Sequence, residues 1–488
     1  MSASAELPFT PATELAARIR RGALSPVTVV EAFLDRIEAR NDALNAYVTV
    51  IAEDARERAR EAERAVDRGD LLGPLHGVPV ALKDLHGYKN GVRHTYCSVP
   101  FKDHIADHDA TSVSRLEAAG AIVLGKTNAP EFGPKGTTDN LLFGPTGNPF
   151  DPAYNAGGSS GGSAAAVVDG MAAVAQGSDG GGSLRIPASW SGCYTIKPTF
   201  RRVAVAETPS AFSHTPFIHH GPLARSVEDA ALMLDVIAGP DPRDPHSVPS
   251  GPSARAATSR GIEDLEIAYT PDYGTFPVDP SVRRVVEDAL AAFEAAGATV
   301  RDLDPQLGHD HATLTDVWLT YSGVGHAARW RTLKDEEGMD LLADHRDEIT
   351  DELARMIEIG RDVSAVEYRR LDHVRTDVLR AFADVLDAAD LLVSPTLACP
   401  PVPNADDGHT VGPTAIEDVP VDPQIGWCMT YLQNFTGHPA ASVPAGFTDD
   451  GLPVGLQIMG PRFGEDQVIA ASAAFERHRP WADAYPPG

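Results

Sequence analysis

Residues 155–187 read NAGGSSGGSAAAVVDGMAAVAQGSDGGGSLRIP, and the rest of the chain is understood from this stretch. Two glycine- and serine-rich loops, 157–163 and 177–183, flank a segment rich in alanine and valine. Glycine loses more backbone entropy on folding than any other residue, so a cluster of it marks a chain that bends sharply or approaches a ligand closely. Ala, Val and Met dominate 163–176, which predicts a buried helix there with Ser163 as its N-cap. Each loop carries a serine among its glycines, Ser159 in the first and Ser183 in the second. Two hydroxyls and a row of backbone N–H groups around one point are what a developing oxyanion requires. A flexible linker would not be coupled to a patterned apolar helix. A phosphate loop would show the dinucleotide fingerprint or a Gly-Lys-Ser/Thr ending, and neither loop does.

The motifs GGSSGGS and SDGGGSLRIPAS resemble those of the amidase signature family of serine hydrolases, and the 24 residues from Ser159 to Ser183 match the family's spacing. The family places a lysine about 75 residues upstream in the pattern G-V-P-x-x-x-K-D. Here Gly77-Val-Pro-Val-Ala-Leu-Lys83-Asp84 supplies it, 76 residues before Ser159. Taken alone, Lys83 reads as a strand-end lysine paired with an acid such as Asp84. Taken with the two loops, it reads as a base. The match continues in Lys126 to Phe132 (K-T-N-x-x-E-F) and in the closing motifs at 437–446 and 451–460, and it is weakest over 240–390.

The resemblance implies an α/β fold, a large mixed central β-sheet flanked by helices on both faces, as one domain over 8–485. Its catalytic core is expected at about 70–225, a variable and largely helical insertion at 240–390, and closing strands at 391–460. It implies a Ser–Ser–Lys relay. Ser183 attacks the carbonyl, Ser159 bridges, and Lys83 is the ultimate base, made neutral by burial. The family's bridging serine follows a cis peptide, here Gly158–Ser159. The N–H groups of Gly180, Gly181, Gly182 and Ser183 are expected to form the oxyanion hole, and Ser160, Asp179 and Arg185 to brace the loops. Gly180 stands where the family usually has Thr or Ile, which predicts a looser turn or wider access above the nucleophile.

With 69 acidic and 41 basic residues the formal charge is −28, which argues against nucleic acid or an anionic membrane as partner. No basic start followed by an apolar run is visible, and no stretch of about 18 apolar residues. A cytoplasmic monomer or homodimer is expected. The four cysteines (Cys97, Cys193, Cys399, Cys428) have no metal-type spacing, so no metal and no cofactor are expected. Residues 120–127, GAIVLGKT, match the P-loop pattern, yet their variable positions form an apolar strand and a proline follows at 130. Thr10-Pro11 and Ser25-Pro26 open helices, and Leu265–Thr270 with Thr299–Leu303 continue the β–α–β alternation. The segment 240–259 is Pro-rich and reads as a mobile surface loop.

The expected activity is hydrolysis of a small, largely apolar or aromatic amide, or of a carbamate or ester. The alternative is the A-type subunit of a glutamine-hydrolysing tRNA amidotransferase. That subunit carries S-L-D-Q-x-G-P where this chain has His214-Thr-Pro-Phe-Ile-His-His-Gly-Pro222, without the acid. Tyr96, Phe143, Phe217, Trp427 and Tyr431 are the expected aromatic pocket walls.

Overall fold

The computed structural model describes residues 6–206, 212, 217–405 and 408–486. One sheet of eleven strands organises them. In chain order these are β1 (Tyr47–Val50), β2 (Pro79–Lys83), β3 (Ile122–Thr127), β4 (Val174–Asp179), β5 (Tyr194–Lys197), β6 (His219–Ala224), β7 (Glu266–Tyr269), β8 (Thr299–Asp302), β9 (Leu391–Pro395), β10 (Ala440–Phe447) and β11 (Pro453–Met459). Their spatial order is β1-β3-β2-β4-β6-β5-β10-β11-β9-β7-β8. Parallel pairs join β3 to β2 and β2 to β4, and again β9 to β7 and β7 to β8; the pairs between are antiparallel. The sheet is therefore mixed.

Every residue of β2, β3, β4, β6, β9 and β11 is buried. Successive side chains of a strand point to opposite faces, so complete burial means that both faces of these strands are covered. This explains why β2 and β9 read as near-continuous apolar runs, and why β4 and β6, which carry Gln176, Ser178, Asp179, His219 and His220, bury polar side chains. The stretch 240–390 contributes β7 and β8 to the same sheet. Beyond them it is mainly helical, with helices at His311–Glu336, Asp351–Arg361 and Ala365–Leu386. No helix among the described residues is long and apolar enough to cross a membrane.

The helix expected over 163–176 is shorter. It spans Gly161–Val168, and Val174–Asp179 is strand β4. Gly170, at φ 76°, turns the chain between them. Both halves are wholly buried, so neither shows the one-sided pattern that separates helix from strand. Ser163 is not the N-cap. Its hydroxyl donates to the Gln176 carbonyl at 3.0 Å and lies 2.7 Å from the Thr127 hydroxyl, tying the helix to β3 and β4.

Gly125, Lys126 and Thr127 lie inside β3, so the P-loop pattern is a coincidence of strand sequence. The buried Lys126 amine donates to the Gly87 carbonyl and sits 3.1 Å from His94 Nδ1. Five of the seven lysines (Lys83, Lys89, Lys126, Lys135, Lys197) are buried; Lys102 and Lys334 are exposed. The 240–259 segment is tied to the body of the protein: the Thr111 hydroxyl donates to Asp241 at 3.0 Å, and Arg202 donates to the Pro249 carbonyl.

Candidate active site

Lys83 ends β2 with none of its surface exposed. Parallel pairing sets Leu82 opposite Gln176, which brings the ends of β2 and β4 together. The Lys83 amine is 2.6 Å from Ser159 Oγ and 3.1 Å from Ser178 Oγ. Asp84 points away and accepts the Thr95 N–H at 3.0 Å, so the ion pair suggested by adjacency is not made. Burial pulls the Lys83 amine down to about 7, opposed by the thiol of Cys97 and the carboxylate of Asp179. A neutral amine is the form that accepts a proton, so kcat/KM for an uncharged amide should rise as pH passes through about 7 and level off above it. A rate that instead climbs steadily towards pH 10 would mean an ordinary, solvated lysine.

Ser159 is buried and follows a cis peptide at Gly158–Ser159. The two loops are bonded to each other next to it. The Ser160 N–H donates to the Ser183 carbonyl at 3.1 Å, and the Ser160 hydroxyl donates to the Ser178 carbonyl at 3.2 Å. Thr138 Oγ1 donates to the Gly157 carbonyl and accepts the Gly161 N–H, which fixes the first loop from outside. Ser183 is half-buried, so Lys83, Ser159 and Ser183 run from the interior outward. Ser183 Oγ makes no hydrogen bond among the described residues.

The second loop is held by Asp179 and Arg185, both wholly buried. Arg185 grips Asp179 through Nε and one terminal nitrogen, each at 3.0 Å, and reaches Gln457 and Asn434 at 2.7 Å. Burial alone would raise the Asp179 carboxyl; Arg185 outweighs it and holds the carboxyl well below the usual carboxylate range. Asp179 also accepts the Gly182 N–H at 2.8 Å and the Leu184 N–H at 3.2 Å. This corrects the expectation for Gly182, whose amide is taken by Asp179. Among the described residues the N–H groups of Gly180, Gly181 and Ser183 make no hydrogen bond, so these three remain for an oxyanion. At Gly182, φ is 128° and a Cβ would lie 1.9 Å from Thr430 Oγ1, so only glycine fits.

The helix His311–Glu336 crosses over this loop. Trp318 Nε1 donates to the Gly180 carbonyl at 3.2 Å, and Thr430 Oγ1 donates to the Gly181 carbonyl at 2.6 Å. Trp318, Thr430 and Asn434 lie outside every motif quoted above; Ser178 and Gln457 lie inside two of them, but their contacts with Lys83 and Arg185 were not expected. The space above Gly180 is filled as well: a Cβ there would lie 2.9 Å from Ile218 Cδ1. Gly180→Thr should therefore push Ile218 aside, displace the loop and lower kcat/KM by roughly tenfold to a hundredfold. Adding Ile218→Ala should restore much of it; a single variant with wild-type kinetics on large and small amides would remove Ile218 from this role.

The expected pocket walls divide. Tyr96 stacks on Phe132 with centroids 5.2 Å apart. Phe132 leads into Gly133, where a Cβ would sit 3.5 Å from Ser159 Oγ. Phe217 stands edge-on to Tyr321, and half-buried Phe143 lies beneath Arg93. Trp427 and Tyr431 are corrected to core residues. Trp427 is fully buried and stacked on Trp190 at 4.6 Å, and Tyr431 is fully buried with its hydroxyl 3.0 Å from that of Thr315. Of the segment His214–Pro222 that departs from the amidotransferase pattern, residues 214–216 lie outside the described residues.

The structure thus sets a buried lysine beside one serine hydroxyl, with a second serine in a neighbouring glycine loop braced by an Arg–Asp pair. The amidase family model matches residues 28–469, and the chain belongs to that family. It is 39% identical over 478 residues to an acylamidase of Rhodococcus erythropolis, covering 97% of this chain and 96% of that protein. The crystal structure of a bacterial aryl acylamidase of the amidase signature family superposes with a TM-score of 0.95, at 42% identity and 98% coverage of each chain. The A-type subunit of the glutamyl-tRNA(Gln) amidotransferase of Carboxydothermus hydrogenoformans is 35% identical, with 99% of each chain covered. The protein is an amide-bond hydrolase of this family, with a large mixed sheet flanked by helices.

Proposed function

We propose that this enzyme cleaves a small, largely apolar or aromatic amide through an acyl-enzyme on Ser183. The observation that carries the reading is the buried Lys83 amine 2.6 Å from Ser159 Oγ. Neutral Lys83 draws a proton from Ser159, which takes one from Ser183 as Ser183 Oγ attacks the carbonyl carbon. The tetrahedral oxyanion is received by the N–H groups of Gly180, Gly181 and Ser183. Ser159 then gives its proton to the departing nitrogen, the C–N bond breaks, and water releases the acid by the same relay in reverse. Losing one oxyanion donor typically lowers the rate about 100- to 1000-fold. A fluorophosphonate probe should label Ser183 covalently, and wild-type protein that is never labelled and turns over no amide overturns the reading.

The stacked rings of Tyr96 and Phe132, next in the chain to Gly133 beside Ser159, together with the acylamidase relatives, support an aryl amide as substrate. The four buried free thiols suit a reducing compartment such as the cytoplasm. The second reading, a glutamine-hydrolysing A-type subunit, draws on the amidotransferase relatives. Glutaminase activity alone, in a stable complex with partner subunits, would favour it over the first.

A further inference from the structure

Arg329 stands apart from the other arginines near the site. Buried Arg185, Arg202 and Arg225 each hold carboxylates or carbonyls. Arg329 makes no ion pair and no hydrogen bond among the described residues, and its Nε is buried without a partner. It is half-buried, with its guanidinium 4.4 Å from the centroid of Tyr96 and 4.6 Å from that of Phe132. Buried donors are almost always bonded, and this one lies in a chain where acids outnumber bases 69 to 41. No shortage of carboxylates explains the vacancy. The aromatic faces supply attraction to the cation but accept no directional hydrogen bond from its edge.

Its position gives the vacancy a use. Phe132 precedes Gly133, where an added Cβ would lie 3.5 Å from Ser159 Oγ, so the ring that Arg329 covers belongs to a segment bordering Ser159. The space beside Gly180 and Gly181 is filled by Ile218 and Trp318. In the proposed reaction Ser159 delivers the proton to the leaving nitrogen, so the amine portion of the substrate lies towards Phe132 and Arg329. The neighbouring His326 is pushed down to about 4, first by burial and then by Arg329 and His86, so at neutral pH it adds no competing charge.

We propose that Arg329 is a substrate-binding residue that receives a carboxylate carried on the amine portion of an aryl amide. This rests on the amidase reading above and narrows it. A planar guanidinium meets a carboxylate with two parallel hydrogen bonds, and the rings of Tyr96 and Phe132, 4.4 and 4.6 Å away, restrict where that guanidinium can sit. An anionic substrate is otherwise repelled by a protein of charge −28, so one local cation free of counter-charge is what admits it.

The test compares kcat/KM for 4-acetamidobenzoate and for acetanilide in wild type, Arg329→Met and Arg329→Lys. Wild type should prefer 4-acetamidobenzoate, and 4-aminobenzoate should inhibit it more strongly than aniline. In Arg329→Met the substrate ratio should fall by about 10- to 100-fold, the worth of hydrogen bonds to a charged group. Arg329→Lys keeps the charge and loses the fork, so it should fall in between, and it carries the test alone if the Met variant does not fold. A wild type that prefers acetanilide overturns the proposal but leaves the amidase reading standing. So does an unchanged ratio, or a shifted pH profile on acetanilide without a change in ratio, which would mean that Arg329 acts through Lys83. A wild type that hydrolyses neither compound and is not labelled at Ser183 removes both.

Discussion

Ser183→Ala protein should fold as the wild type does and lose amide turnover by roughly a million-fold, the loss seen when a serine nucleophile is removed from a hydrolase. Lys83→Met should lose a comparable share, because without a base the serine hydroxyl is a weak nucleophile. The two variants differ in a second measurement. Ser183 is half-buried and makes no side-chain hydrogen bond among the described residues, so its truncation should leave the melting temperature nearly unchanged. Lys83 is a fully buried amine whose charged form is disfavoured. Methionine fills a similar volume without that penalty, so Lys83→Met should unfold no earlier than wild type. A fully active Ser183→Ala enzyme ends the proposed mechanism. A Lys83→Met enzyme with normal turnover would return the lysine to a structural part.

Arg185→Leu should be the most destabilising single change near the site. It leaves the Asp179 carboxylate buried without its counter-charge, and it deprives Asn434, Gln433 and Gln457 of a shared donor. Removing one member of a buried ion pair costs about 3–5 kcal/mol. The loss should depend on pH in a definite direction. The Asp179 carboxyl is depressed in the folded state, so the pair contributes fully above the ordinary carboxyl pKa and fades as pH falls through the lower folded value. Wild type and variant should therefore differ most near neutrality and converge in strong acid, as read by denaturant unfolding at several pH values. Activity should fall too, since Asp179 holds the Gly182 and Leu184 amides on either side of Ser183. An Arg185→Leu protein of unchanged stability would show that the pair is replaceable by packing alone.

What can be read from the sequence is local. Lys83, Ser159 and Ser183 each sit in a motif whose spacing can be counted, and strand β2 follows from Val78 to Leu82 as a plain apolar run. The structure brings Lys83 and Ser159 within 2.6 Å across 76 residues of chain. What is not legible arrives from far away or from uniform burial. Trp318 reaches Gly180 across 138 residues and Thr430 reaches Gly181 across 249, each from a segment outside the quoted motifs. The helix–strand boundary near Gly170 escapes the sequence because Ala and Val pack equally well in a buried helix and a buried strand. Trp427 and Tyr431 are aromatic in the right part of the chain, yet aromatic rings fill cores as readily as they line clefts. Gly182 looks like its neighbours because no sequence rule tells which amides a carboxylate three residues upstream will claim.

The distribution of lysines bears on how this enzyme is handled. Only Lys102 and Lys334 offer a side-chain amine to solvent, since the other five are buried. Reagents that seek primary amines, such as activated esters or aldehyde-bearing resins, therefore find two side-chain anchoring points on a 488-residue molecule. Lys83, the proposed base, is out of their reach. Immobilisation by that route should attach the protein in few orientations while leaving Lys83 unmodified, and carbodiimide coupling through the abundant surface carboxylates offers the denser alternative.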